Sequence, residues 1–205
     1  MRREITGGLT WRSRALLLLL PMVAVVAALS IGRVGVPVSY IFDSVLDKLG
    51  MQAAELMTQY ESVLWKFRLP RILLSLLVGA GLSVSGCAFQ SLFSNPLATP
   101  DTLGVASGTS FGAALALLLG FGMLGVQAMA LFFGIAAVAL TYLAGSGKGR
   151  SSMGMMILSG IMVGSLFTAL ISLIKFTADT ESQLPVITYW LMGSMSAAGY
   201  DSLLL

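Results

Sequence analysis

The chain has 205 residues, of which 57% are hydrophobic and 10% charged, and its mean hydropathy is +0.91. An ordinary soluble domain carries roughly 25% charged residues, so 12 Lys+Arg and 9 Asp+Glu cannot cover a water-facing globule of this size. With no histidine and a single cysteine, Cys87, the commonest general base is missing, and neither a disulfide within one chain nor a Cys cluster for zinc or iron–sulfur can form. The net charge of +3, dispersed through apolar segments, gives no nucleic-acid footprint.

The composition predicts an all-α, polytopic membrane helix bundle. Five uncharged stretches are long enough to cross about 30 Å of hydrocarbon at 1.5 Å per residue. They fall at about residues 15–31, 72–93, 103–121, 124–143 and 153–174. The first contains Pro21, which membrane helices tolerate. Arg2, Arg3, Arg12 and Arg14 ahead of an apolar core also fit a signal peptide. A retained helix is preferred, because the core is longer than a typical signal and further spans follow. The same arginines place the N-terminus in the cytoplasm. Residues 32–71 are then external, 94–102 internal, the turn near Gly122 external, and 144–152, with Lys148 and Arg150, internal. The external segment holds Arg33, Lys48, Lys66, Arg68 and Arg71, so a raw charge count does not fix the orientation.

Between the first two spans, Ile41, Phe42, Val45, Leu46 and Leu49 share one helical face. This predicts a short amphipathic helix on the outer surface, with Ser39 as its N-cap after Pro37. Beyond Lys175 polarity returns with Asp179, Glu181 and Gln183, followed by Pro185 and the interfacial pair Tyr189 and Trp190. The final Ser202-Leu-Leu-Leu205 reads as the start of a sixth span.

Small residues recur every four positions at Gly104, Gly108, Gly112, Ala116 and Gly120. They do so again at Ser75, Gly79 and Ser83, and at Gly160, Gly164, Thr168 and Ser172. Such faces serve close helix packing or line a passage, since helix association in lipid depends on packing. No carboxylate, lysine or arginine sits mid-span, which argues against ion coupling by these helices. The segment Gly145-Ser-Gly-Lys-Gly-Arg-Ser151 lacks the early glycine and the following Ser/Thr of a phosphate loop, so it reads as a flexible turn and not an ATPase site.

Two stretches carry a family resemblance. One is Arg68-Leu-Pro-Arg71 leading into Leu77-Val-Gly-Ala-Gly-Leu-Ser-Val-Ser-Gly86 and Gln90. The other is Asn95-Pro-Leu-Ala-Thr-Pro100 followed by Leu103-Gly-Val-Ala-Ser-Gly108. Weaker echoes are Leu158-Ser-Gly-Ile161 and Tyr189-Trp-Leu-Met-Gly193. Together they resemble the FecCD-type permease subunits of iron-siderophore, haem and vitamin B12 ABC importers, whose fold is the type II importer permease.

On their own residues, Arg68 and Arg71 read as interfacial anchors, with Pro70 in a first helical turn. The resemblance implies that they dock acidic residues of an external substrate-binding protein, for which a planar guanidinium is suited. It also implies a cytoplasmic gate at Asn95 and Leu97, facing Ser151 and Ser152. Read from the residues, Asn95 before Pro96 is a helix stop left outside regular hydrogen bonding. Gly104, Gly108, Gly112, Gly160 and Gly164 are the packing or path-lining positions.

The implied partners are ATP-binding subunits, an external substrate-binding protein and a second copy or related permease, in a bacterial or archaeal plasma membrane. The chain itself is expected to hold no cofactor and to act as no enzyme, with ATP and magnesium in the partner ATPase. Family permeases have ten membrane helices, so residues 1–205 read as the N-terminal part of a single transmembrane domain, a fragment or truncated product. A non-transporting membrane scaffold or an inactive truncated permease is the alternative.

Overall fold

The computed structural model describes residues 10–51, 58–96, 98–146, 153–196 and 198–204. All of the regular structure among them is helical. The chain divides into two compact units, residues 1–77 with 195–205, and Val78–Ser194.

In the first unit, helix α1 spans Trp11–Ser30 and α2 spans Val38–Lys48. The hydroxyl of Thr10 accepts from the Ser13 N–H and caps α1, satisfying one of the amides that a helix start leaves open. Helix α2 begins two residues earlier than the spacing predicts, with Pro37 and not Ser39 at its N-cap. Its apolar face is split. Ile41 is buried, whereas Phe42, Val45 and Leu49 are exposed and available to lipid. The fully buried polar residue is Ser44, whose hydroxyl accepts from the Trp65 indole N–H at 2.8 Å.

The second predicted span begins well before residue 72. Helix α3 (Thr58–Glu61) runs into a π-helical stretch, Ser62–Arg68, and then into α4 (Leu69–Phe93). The run Gln59–Phe93 is 35 residues of continuous helix. Pro70 therefore lies inside it and not in a first turn. In the π register Leu69 N–H donates to Leu64 O. The next bond of that register would run from residue 70 to Trp65 O, and proline has no N–H to give. Tyr200 supplies the missing donor, its hydroxyl donating to Trp65 O at 2.7 Å.

In the second unit α4 ends at Phe93 with Ser94 in the left-handed region (φ 48°). Ser94 N–H donates to Ser91 O and Asn95 N–H to Gln90 O at 3.1 Å, the paired bonds of a Schellman cap. Asn95 O in turn accepts from Ala98 N–H. Asn95 is thus not outside regular bonding, as its place before Pro96 suggests, but closes the helix.

A 3-10 turn, Pro100–Leu103, precedes α5 (Val105–Leu118), which is followed by α6 (Met123–Gly145) and α7 (Met153–Thr177). Of the five predicted spans, four reach crossing length. Helix α5, with 14 residues, rises only about 21 Å. It is shorter than the expected span over 103–121 because two left-handed glycines bound it, Gly104 (φ 73°) after the 3-10 turn and Gly120 (φ 74°) beyond its C-terminal end. A further helix, α8 (Gln183–Met192), lies where the sequence suggests only polarity and an aromatic pair. A four-residue turn of helix, α9 (Asp201–Leu204), occupies the expected start of a sixth span.

The core of this unit is built from small residues. Ala113, Ala114, Ala116 and Ala137 are completely buried, while large apolar side chains such as Leu131, Phe132, Ile135, Leu158 and Met162 point outward. That inversion suits a solvent of acyl chains, in which close backbone approach is the main source of helix affinity. One phenylalanine from each of α5, α6 and α7 meets at the centre. Phe111 stacks edge-on against Phe133 at 4.8 Å and packs tilted against Phe167 at 5.4 Å. Such ring pairs contribute about 0.5–1.5 kcal/mol each beyond area burial.

Candidate functional site

Arg68 and Arg71 lie one turn apart across the junction of the π stretch and α4, and both side chains reach backbone carbonyls. Arg68 Nη1 donates to Leu29 O and to Ser30 O (3.1 Å), and its Nη2 donates to Val34 O. Leu29 and Ser30 hold the last carbonyls of α1, which have no intrahelical partner and carry the negative end of the helix dipole. The guanidinium therefore acts as a C-terminal cap. Hydrogen bonds from a charged donor contribute about 1.5–3 kcal/mol. Gly32 leaves room for it, since a Cβ there would push the Arg68 guanidinium aside.

Arg71 Nη2 donates to Ser196 O, while its Nε is buried without a partner. A niche of about 420 Å³ is lined by Arg33, Arg68 and Arg71 together with Ile31, Val63 and Phe67.

At the other candidate positions the geometry separates packing from lining. A Cβ on Gly108 would come within 2.6 Å of Phe133 O and 2.7 Å of Ala137 Cβ, and one on Gly112 would overlap Met129 O. These two glycines hold α5 against α6. On Gly160 it would stand 2.9 Å from Leu103 Cα and closer still to Thr102 O, so α7 rests directly on the 3-10 backbone. Gly164 has more room, its nearest neighbours being Gly104 Cα and the Ser107 hydroxyl at 3.6 Å.

Gly104, Gly160 and Gly164 also border an open concavity of about 380 Å³, which Asp101, Ser107, Ile161, Ser165 and Thr168 complete. The hydroxyls of Ser165 and Thr168 donate to carbonyls one turn back, Ile161 and Gly164, and so present lone pairs to the concavity. Thr141, fully buried on α6, fixes the rim by donating to Leu103 O at 2.9 Å. The small face of α4 differs, since a Cβ at Gly79, Gly81 or Gly86 would meet nothing within 4 Å.

Asn95 lines a polar cup of about 350 Å³ with Cys87, Gln90, Ser91, Ser94 and Pro96. Leu97, Ser151 and Ser152, the other expected gate residues, lie outside the described residues, as does most of the segment compared with a phosphate loop. Among the described residues no group of His, Cys, Asp or Glu is placed to hold a metal ion.

Sequence reasoning missed Tyr200, Thr141 and Ser165, although Thr168 already stood in the small-residue face of α7. A signal existed for the first, because a proline inside a helix always orphans a carbonyl. The other two depend on the angle at which α5, α6 and α7 cross, which periodicity does not encode.

An all-helical bundle of membrane-crossing helices, tightened by small residues and concave where hydroxyls gather, is the architecture of a membrane permease. The chain belongs to the FecCD transport family, which matches residues 18–205. It is similar to the molybdate import system permease protein MolB of Haemophilus influenzae, at 39% identity over 92% of this chain and 55% of that protein. It is also similar to the vitamin B12 import system permease protein BtuC of Klebsiella pneumoniae, at 36% identity over 68% of this chain and 42% of the relative. A solved structure described as an inward-facing conformation of a metal-chelate type ABC transporter superposes with a TM-score of 0.75 at 37% identity, covering 92% of this chain and 55% of that one. The chain spans about half the length of the curated relatives it matches.

Proposed function

We propose that this chain forms the membrane path of an ATP-driven importer for a metal chelate of the iron-siderophore, haem or cobalamin kind. A second permease copy or related subunit supplies the facing wall. ATP-binding subunits, which hold ATP and magnesium, supply the energy, and an external substrate-binding protein delivers cargo at Arg68 and Arg71. The membrane is a bacterial or archaeal plasma membrane, with the N-terminus cytoplasmic. Asn95 and Leu97, with Ser151 and Ser152, form the inner gate, and the chain itself performs no covalent chemistry.

The observation that carries this reading is the hydroxyl- and glycine-lined concavity beside α5 and α7, in which Asp101 is the one charged side chain. A wall of lone pairs and bare backbone offers a bulky chelate brief contacts without gripping it, as a passage requires. The absence of charge from the middle of the described membrane-length helices supports a power source in another subunit. A second reading, molybdate as cargo, is favoured by the extent of similarity to MolB. Against it, the lining includes a carboxylate and no cation to balance an oxyanion.

The complete importer containing this chain, reconstituted in proteoliposomes, tests both. Radiolabelled ferric siderophore, haem, cobalamin and molybdate are offered with ATP inside or outside. ATP-dependent accumulation of a chelate, blocked by Thr168→Trp, is expected. Accumulation of molybdate alone supports the second reading, and no accumulation of any cargo supports a non-transporting scaffold. Chelate uptake unaffected by Thr168→Trp refutes the assignment of the path to this concavity.

A further inference from the structure

We infer that the end of α1 carries a binding site for an anionic phospholipid, with the phosphate held at Arg33 and one acyl chain lying in the groove between α1 and α2. The inference is independent of the cargo and needs only that the chain sits in a membrane.

Two adjoining cavities offer the two chemistries of such a lipid. An open groove of about 460 Å³ is lined by residues of α1 between Met22 and Ser30, by Ile31 and by Val38 of α2. Its one polar side chain is Ser30, whose hydroxyl donates to Val36 O at 2.7 Å and so keeps no proton for an occupant. The groove therefore favours hydrocarbon. Ile31 also borders the niche of about 420 Å³ lined by Arg33, Arg68 and Arg71, and no Asp or Glu lines it. Apolar space thus passes into positive charge across one residue, the order in which a phospholipid presents acyl chain and phosphate. Basic pockets between membrane helices suit anionic headgroups.

Of the three arginines, Arg33 is the one free to grip. It is exposed and makes no hydrogen bond or ion pair among the described residues. Arg68 is spent on Leu29 O, Ser30 O and Val34 O, and Arg71 donates to Ser196 O. A free guanidinium can take a phosphate through two parallel N–H bonds. The connector that carries Arg33 is already fixed, because Val36 N–H donates to Ser30 O at 3.1 Å and Arg68 ties down Val34 O. Holding a ligand there costs little further ordering. The depth also fits. Tyr40, Tyr60 and Trp65 pack around the Leu29 and Val36 cluster, and tyrosine and tryptophan gather at the headgroup level of a bilayer.

The complete importer containing this chain, purified in detergent and delipidated, is titrated with palmitoyl-oleoyl phosphatidylglycerol or phosphatidylcholine, and bound lipid is counted by native mass spectrometry. Phosphatidylglycerol is expected to bind roughly fivefold more tightly, and Arg33→Ala to remove most of that preference without changing the melting temperature of the lipid-free protein. Val23→Trp, which fills the groove from an exposed position, should weaken both lipids. Phosphatidylglycerol with a photoreactive acyl chain should label residues 22–38 in the wild type and lose that label in Val23→Trp.

Equal binding of the two lipids by the wild type, or a preference that survives Arg33→Ala, overturns the inference, as does labelling confined to other helices. Glycerol phosphate that displaces phosphatidylglycerol at equal concentration assigns the niche to a free phosphate and overturns the lipid. An Arg33→Ala importer that keeps its lipid preference but loses a soluble protein partner assigns Arg33 to that protein and overturns the inference equally.

Discussion

Removing one oxygen atom, by Tyr200→Phe, tests the account of the π-helical stretch. The hydroxyl stands in for the N–H that Pro70 lacks, at 2.7 Å from Trp65 O. A net intramolecular hydrogen bond contributes about 1 kcal/mol. Tyr200 is 47% exposed, so water can replace part of what is lost, and the expected cost is about 0.5–1 kcal/mol. That corresponds to a roughly two- to fivefold rise in local opening, since about 1.4 kcal/mol is tenfold. Hydrogen exchange read by mass spectrometry on peptides covering 62–69 should detect it.

The control is Pro70→Ala, which gives residue 70 an N–H of its own and makes the tyrosine redundant. In that background Tyr200→Phe should cost almost nothing, leaving a coupling energy close to the whole single-mutant effect. Because Pro70 is buried, Pro70→Ala also removes packing, but the cycle cancels that term. An equal cost for Tyr200→Phe in both backgrounds, or none in either, would refute the reasoning.

Gly160→Ala should destabilise the bundle by about 2–3 kcal/mol through overpacking, whereas Gly164→Ala should cost well under half as much. Thermal melts of the detergent-solubilised protein separate the two, and equal effects would contradict the close approach of α7 to Thr102. Thr141→Val, which keeps the volume and removes the donor to Leu103 O, should cost about 1–3 kcal/mol, with Thr141→Ser near wild type. In the α7–α8 turn, the Ser182 hydroxyl and then its N–H donate to Asp179 and hold that carboxyl below its ordinary value. A depressed value means that the contribution is complete above the unfolded pKa of about 3.9 and is lost as pH falls through the lower folded one. Carboxyl-carbon NMR of Asp179 should give a midpoint below the ordinary aspartate range, moving back toward it in Ser182→Ala.

Hydropathy made the membrane helices legible because lipid demands long apolar runs whatever the fold. It failed where charge and helix coexist. Glu61, Lys66, Arg68 and Arg71 interrupt the apolar signal, yet the chain is helical from Gln59 onward, since arginine and lysine find carbonyls or the interface to satisfy them. The reverse error occurred at Leu103, where an apolar run continues through a left-handed glycine that breaks the helix. Of the candidate site, the glycines were visible as a four-residue rhythm. That Gly108 and Gly112 face α6 while Gly104 and Gly164 border open space was not, because one stripe serves two neighbours. The arginine pair was visible too, but that Arg68 caps α1 depends on where α1 ends.

The seat of Gly160 on the Thr102–Leu103 backbone limits how this half of the molecule can rearrange. Two helices in contact through interdigitated side chains can creep past one another by exchanging rotamers. A helix notched onto a carbonyl has no such intermediate positions, and Thr141 bolts the same turn from the other side. Shear between α7 and the start of α5 is thereby closed off. Any rearrangement within this unit would therefore carry α7 and the 3-10 turn together as a block.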